Sequence, residues 1–250
     1  GECIRYFTSG LSVTDESAVI FFDGVQVAHF GPGRTGAFVL RSYTGWNTHT
    51  LRALAAKRAE QLRLPFIWIS RPGVYGSSGD HHQRRRPRES HLLNATIDII
   101  KNRYGLTKLT LVGFSGGGHV VAALMTMRQD IECAVIASGI LDVESRNTQL
   151  GWETDITGHR DFFDPKREIE HVVTDHSRRV FVVVSQRDRR VPFSTQEDYA
   201  KALARYGHHV RLLRMEGLDT DGHWVGDEIY DIARHCAAGE SDDVIVDAIH

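Results

Sequence analysis

Ser115, Asp188 and His223 are the residues of this sequence whose types and chain order could do chemistry together. A serine hydroxyl is a weak nucleophile until a neighbouring base takes its proton. A neutral imidazole can take that proton and later return it to a leaving group, and a carboxylate behind the imidazole fixes its tautomer and stabilises the cation that forms. Ser115 is the centre of Gly113-Phe114-Ser115-Gly116-Gly117, a G-x-S-x-G pattern. Asp188 lies in Asp188-Arg189-Arg190-Val191-Pro192 and His223 in Gly222-His223-Trp224. The order Ser, Asp, His is one in which this constellation recurs. The chain has 14 histidines, so position and not residue type must choose the base. His119 falls one turn into a helix and points along it, whereas His208 and His209 flank a strand start and face solvent. Asp142 is the rival acid, because it also follows a strand. Asp219 and Asp221 stand too near His223 in the chain to favour anything but a loop contact.

The elements that must position these residues can be read from the apolar pattern. Residues 109–113 form a short buried strand, and from Gly116 onward Val120, Val121, Leu124 and Met125 share one helical face. A G-x-S-x-G between strand and helix is a nucleophile elbow. It holds its serine in a strained backbone region, at a cost on the order of 1–3 kcal/mol, and presents it at the positive end of the helix. Asp188 follows an apolar strand at 179–185, and His223 follows one around 210–213. Further strands are expected at 3–8, 18–22, 66–70 and 133–138, with a weaker one at 38–40. Helices are expected at 50–64, 89–104, 194–206 (opened by a Ser194/Glu197 capping box) and 225–237. Near-regular alternation of strand and helix predicts a mostly parallel sheet covered on both faces. Such sheets gather their chemistry at the carboxyl ends of the strands, where all three residues fall. The polar stretch 141–176 breaks the rhythm and carries Trp152, Phe162 and Phe163. A connection of that length is usually a lid or a binding loop.

Composition bounds the function. A chain of 250 residues suits a single large α/β domain spanning 1–250, able to bury roughly 70–75% of its unfolded surface. A net charge of −2 with 25% charged residues marks neither a disordered chain nor a general nucleic-acid binder. No apolar run reaches the roughly 18–20 residues of a membrane span. Three cysteines, Cys3, Cys133 and Cys236, do not make a disulfide framework. Cys133 reads as a small core residue, and Cys3 and Cys236 are left as a pair if the chain is exported. The first residue is not Met, so the compartment, cytoplasmic or exported with a leader removed, stays open. Oligomeric state is not legible.

Taken together, GFSGGG at 113–118, D-x-x-V-P at 188–192, GHW at 222–224 and RPGVYGSSG at 71–79 resemble the α/β-hydrolase superfamily. The glycines after Ser115 and the Arg-Pro-Gly loop are similar to bacterial hydrolases of esterase and prolyl-oligopeptidase-like type. The resemblance implies an α/β-hydrolase fold with an eight-stranded sheet, a cap-like insert at 141–176 and no cofactor. It further implies hydrolysis of an ester, thioester or amide. Superfamily members commonly carry His-Gly after the third strand to complete the oxyanion hole, and this chain has none in its first half. The N–H of Gly116 supplies one donor. The other is expected from Val25, after the strong strand at 18–22, or alternatively from Tyr43 or Thr44. Phe114, Tyr75 and Trp152 are candidate substrate contacts.

The leading expectation is a serine hydrolase of small carboxylic esters, with no metal and no nucleic-acid partner. A peptidase or amidase of prolyl-oligopeptidase-like type is the nearest alternative, and a non-catalytic ligand-binding protein of the same fold the third. The run DHHQRRRPR at 80–88 reads first as a solvated loop, its alternative being a site for an anionic substrate or a docking surface. His81 and His82 lack the companions a metal would need.

Overall fold

Seven apolar segments assemble into one sheet in the computed structural model, which describes residues 2–29, 37–175 and 177–249. In chain order the elements begin β1 (Tyr6–Ser9), β2 (Ser17–Phe22), β3 (Val27–His29), β4 (Ala37–Val39), α1 (Arg41–Gly45), α2 (Thr48–Leu62) and β5 (Phe66–Ile69). They continue α3 (Pro87–Tyr104), β6 (Lys108–Phe114), α4 (Gly116–Met125), β7 (Ile131–Ala137) and α5 (Val143–Gln149). The last are β8 (Arg179–Val184), α6 (Phe193–Arg205), β9 (His209–Arg214), α7 (Glu228–Ala237) and α8 (Asp242–Asp247). The sheet order is β1-β5-β2-β6-β7-β8-β9, with β1 antiparallel to β5 and every other pairing parallel. The eight strands implied by the resemblance become seven among the described residues. The weak strand expected at 38–40 is β4, which pairs only with β3 in a separate antiparallel ribbon.

Alternation along the strands decides which helices cover which face. Ile20, Phe22, Leu111, Ile136 and Val182 point to the side packed by α3, α4 and α6. Val19, Phe21, Val112, Val135 and Val183 point to the side packed by α2, α7 and α8. Burying such a side chain from both sides contributes about 1.5–3 kcal/mol each, so the central strands read as continuous apolar runs.

Helix ends depart from the sequence reading where side chains have other work. α2 begins two residues early because Asn47 accepts the N–H groups of His49 and Thr50. α3 opens on Pro87, whose missing N–H is harmless at a helix start. The Ser194/Glu197 capping box does not form. α6 starts at Phe193, Ser194 donates to Gln149, and Glu197 pairs with Lys201 and Arg214. The insert at 141–176 contributes α5, capped by Asp142, and a single 3₁₀ turn at Ile169–His171. Phe162 packs against Ile140, Val143 and Val191, while the Phe163 ring lies edge-on to His119. Arg178, fully buried, donates to the carbonyls of Met125, Arg128, Ile131 and Val173 and ties the end of α4 to this insert.

Cysteine pairing differs from expectation. Cys133 on β7 is bonded to Cys236 on α7, 103 residues later, and Cys3 is free and exposed. Alternation puts Cys133 on the α7 face of the sheet, a tertiary relation that chain position alone does not disclose. Reduction of this bond is expected to lower stability by about 2–5 kcal/mol, since a cross-link closing so long a loop restricts the unfolded chain. Thermal melts with and without a thiol reductant measure it, and coincident midpoints would contradict it.

Candidate active site

The parallel register aligns the carboxyl ends of β2 and β6, with Phe22 opposite Gly113. Ser115 follows at once, with φ 54° and ψ −115°, conformational territory that a non-glycine residue occupies only under constraint. Two glycines make the turn possible. A Cβ on Gly113 would collide with the carbonyl of Gly117, and one on Gly117 with the carbonyl of Phe22. The Ser115 N–H donates to the carbonyl of Ala137 at the end of β7, 2.7 Å away. Ser115 opens α4, so the N–H of Gly116, in the helix's first turn, has no carbonyl one turn earlier to bond.

His223 follows β9 and Asp188 follows β8, both on the Ser115 edge. Nδ1 of His223 lies 2.8 Å from Oδ2 of Asp188, and both side chains are buried. The other carboxylate oxygen of Asp188 accepts the N–H groups of Arg190 and Val191, at 2.8 and 2.9 Å. The rival Asp142 is spent elsewhere, capping α5 through Ser145 and meeting Lys166 Nζ at 2.9 Å. Asp219 accepts the backbone N–H groups of His223 and Trp224 and so shapes the loop. Ser138, at the end of β7, donates from Oγ to the carbonyl of His223 at 2.6 Å. His119 turns away, its Nε2 at 2.9 Å from the Phe163 carbonyl oxygen, and burial lowers its pKa to about 4.

The loop after β2 lies against the elbow. A Cβ on Gly24 would touch the Cβ of Ser115, and one on Gly116 would touch Val25 Cγ2 and Arg71 Nη1. Asp23 takes the Gly24 N–H, Gln26 Nε2 and the Tyr75 hydroxyl, and none of the hydrogen bonds among the described residues uses the N–H of Val25. Burial lifts the Asp23 carboxyl to about 6 despite these donors. Tyr43 and Thr44 are not comparable. Their N–H groups form the first turn of α1 by donating to the carbonyl of Leu40, at 3.0 and 3.3 Å.

Ser115, His223, Phe114, Val25 and Trp152 line one cavity of about 870 Å³, whose remaining wall mixes aromatic and aliphatic side chains with ten charged ones. The Phe114 ring stands 5.0 Å from that of His223 and 4.9 Å from that of Trp224. Tyr75 is a layer behind: it does not line the cavity, and its hydroxyl reaches Asp23, which does.

The basic run at 80–88 corrects the sequence reading most. Only its ends are solvated: Asp80, Pro87 and Arg88 are exposed, but Arg84 and Arg85 are 2% and 1% exposed. Arg85 grips Asp155 with Nε and Nη2 at 2.6–2.9 Å. Burial opposes the charge on Asp155, but the Arg85 guanidinium outweighs it and holds the carboxyl well below the ordinary range. Arg71 does the same for Glu89, whose pKa falls to about 2 against the effect of burial. His81 is buried with Nδ1 against the Pro72 carbonyl. Asp219 is the loop contact expected of it, whereas the sequence reading missed Ser138 and Arg146. The one available signal for Ser138 was a serine ending the strand beside the elbow.

Sheet order, elbow and loop placement define an α/β-hydrolase fold. Solved structures share it. Est1E from Butyrivibrio proteoclasticus with ferulic acid bound superposes with a TM-score of 0.63 at 15% identity, over 96% of this chain and 94% of that one. The Pyrococcus furiosus esterase Pf2001 gives 0.58 at 12% identity, over 84% and 82%. Pyrococcus horikoshii acylaminoacyl peptidase gives 0.62 at 13% identity, over 96% of this chain but 39% of the peptidase. No curated protein sequence matches the chain. The profile of the prolyl oligopeptidase family matches residues 92–238, more than half of the chain, and the chain belongs to that family. It is a serine hydrolase.

Proposed function

We propose that the protein hydrolyses carboxylic esters of small molecules through Ser115, His223 and Asp188. With Nδ1–H donated to Asp188, the Nε2 lone pair of His223 takes the Ser115 proton as Oγ attacks the ester carbonyl. The N–H groups of Gly116 and Val25 stabilise the oxyanion of the tetrahedral intermediate. His223 then protonates the departing alcohol, and water attacks the acyl-enzyme by the same route in reverse. The observation that carries this reading is the 2.8 Å contact between Asp188 and His223, on a wall of the cavity that Ser115 also lines.

The cavity favours an ester over a peptide. Its volume of about 870 Å³ matches a small molecule. A fluorophosphonate probe tests the class: stoichiometric labelling of the native protein, abolished in Ser115→Ala, is expected. Labelling that persists in the variant would overturn the assignment of the nucleophile, and no labelling at all would favour a ligand-binding protein. Nitrophenyl esters of several chain lengths should then turn over faster than aminoacyl anilides. The reverse ranking would make the protein a peptidase or amidase.

A further inference from the structure

We infer that Arg84, Arg85 and Arg146 form a carboxylate-binding subsite in the cavity that Ser115 lines, so that the preferred ester carries a negative charge away from its scissile bond. The word ester rests on the hydrolase reading above, and the subsite rests on the arginines alone. All three line that cavity, and all three are at least nine-tenths buried, Arg146 at 7% exposed. A buried guanidinium is costly unless its donors and its charge are met.

Here they are not. Nη1 of Arg84 donates to the carbonyl of His81 at 3.0 Å, while its Nε and Nη2 have no partner among the described residues. Arg85 spends Nε and Nη2 on Asp155 and leaves Nη1 without one. Arg146 donates from Nε to the carbonyl of Arg190, lies 4.9 Å over the Trp152 ring and leaves Nη1 without one. Among the described residues Asp155 is the one carboxylate hydrogen-bonded to any of the three guanidinium groups, and it is already shared with the hydroxyl and N–H of Thr157; Glu89 acts on Arg84 and Asp188 on Arg146 only through space.

Other acids on the cavity wall are engaged: Asp219 with the His223 loop, Asp221 with Arg190, Asp227 with Arg58, and Asp23 with Tyr75 and Gln26. Burial, then the charge of Arg85, brings Arg84 down to about 9 and Arg146 to about 10, so both stay cationic at neutral pH. Arg178 shows what a structural arginine looks like in this fold. It is equally buried, and each of its three nitrogens donates to a carbonyl. The local excess is therefore positive, fork-shaped and supplied with unused donors. A carboxylate is planar and matches a guanidinium edge with two oxygens. The rings of Phe114, Trp46 and Trp152 on the same wall suit an apolar body attached to it.

Turnover tests the assignment with mono-4-nitrophenyl succinate, glutarate and adipate against neutral 4-nitrophenyl esters of equal length, and with 4-carboxyphenyl against phenyl acetate. In at least one placement the anionic ester is expected to lead by about tenfold or more in kcat/KM, mainly through KM. That ratio should fall by about tenfold in Arg84→Gln and in Arg146→Gln. Neutral esters equal or better in both placements would overturn the subsite while leaving the hydrolase reading intact. Calorimetry of the native protein with hexanoate and hexanamide needs no variant to fold, and hexanoate should bind more tightly. Preferential hexanoate binding that is lost in Arg84→Gln, in a protein that turns over no ester, would uphold the subsite and reject the hydrolase. Equal binding of acid and amide would reject the subsite.

Discussion

Ser115→Ala is expected to lower kcat on a nitrophenyl ester by about 10⁴–10⁶, and His223→Ala by a similar factor, with the thermal midpoint nearly unchanged. The size follows from removing one member of a unit whose parts act only together. For the same reason the double variant should be hardly slower than either single one, whereas independent contributions would multiply. Stability should survive because no hydrogen bond of the Ser115 hydroxyl to another described residue holds the elbow. Its shape comes from Gly113, Gly117 and the Ala137 contact. Progress curves on purified variants beside thermal melts read both quantities. A loss under about tenfold with an intact fold would remove Ser115 from the chemistry.

Asp188→Asn is expected to cost about 10⁴ in kcat while keeping the site's shape. Asparagine preserves one carbonyl oxygen, which can still accept the N–H groups of Arg190 and Val191. Its amide nitrogen would then face His223 Nδ1, a donor in place of an acceptor. The imidazole would respond by carrying its proton on Nε2, where it can no longer take one from Ser115. Asp142→Asn is the control, because that residue caps α5 and meets Lys166. Asparagine keeps the cap, so the change should appear as a loss of at most about 1 kcal/mol of stability from the Lys166 ion pair and not as a rate. If Asp142→Asn carries the large rate effect and Asp188→Asn does not, the acid has been assigned to the wrong strand end.

What could be read from sequence follows the range of the forces involved. Buried parallel strands announce themselves locally, so 18–22, 109–113, 133–138 and 179–185 were legible, as was the glycine pattern at the elbow. Helix starts were less so, because Asn47 and Pro87 set them from outside the apolar period. The arginine run illustrates the harder case. Charge in a window predicts solvation unless a counter-ion is known, and the partner of Arg85 is Asp155, 70 residues away in a segment without periodicity. Cys133 likewise looks like any small core residue until α7 is laid across its face of the sheet. The choice of a second oxyanion donor was half legible: the strength of the 18–22 strand favoured Val25 over Tyr43 and Thr44, and that the latter two N–H groups bond the Leu40 carbonyl could be seen only in the fold.

β7 has a consequence for precision. Its final carbonyl, on Ala137, holds the Ser115 backbone, the next residue, Ser138, holds the backbone of His223, and Cys133 fastens the helix that follows the histidine loop. Two groups separated by more than a hundred positions in the chain are thus measured from one common datum. Displacement of that strand carries Ser115 and His223 together, so their separation is insulated from breathing elsewhere in the sheet.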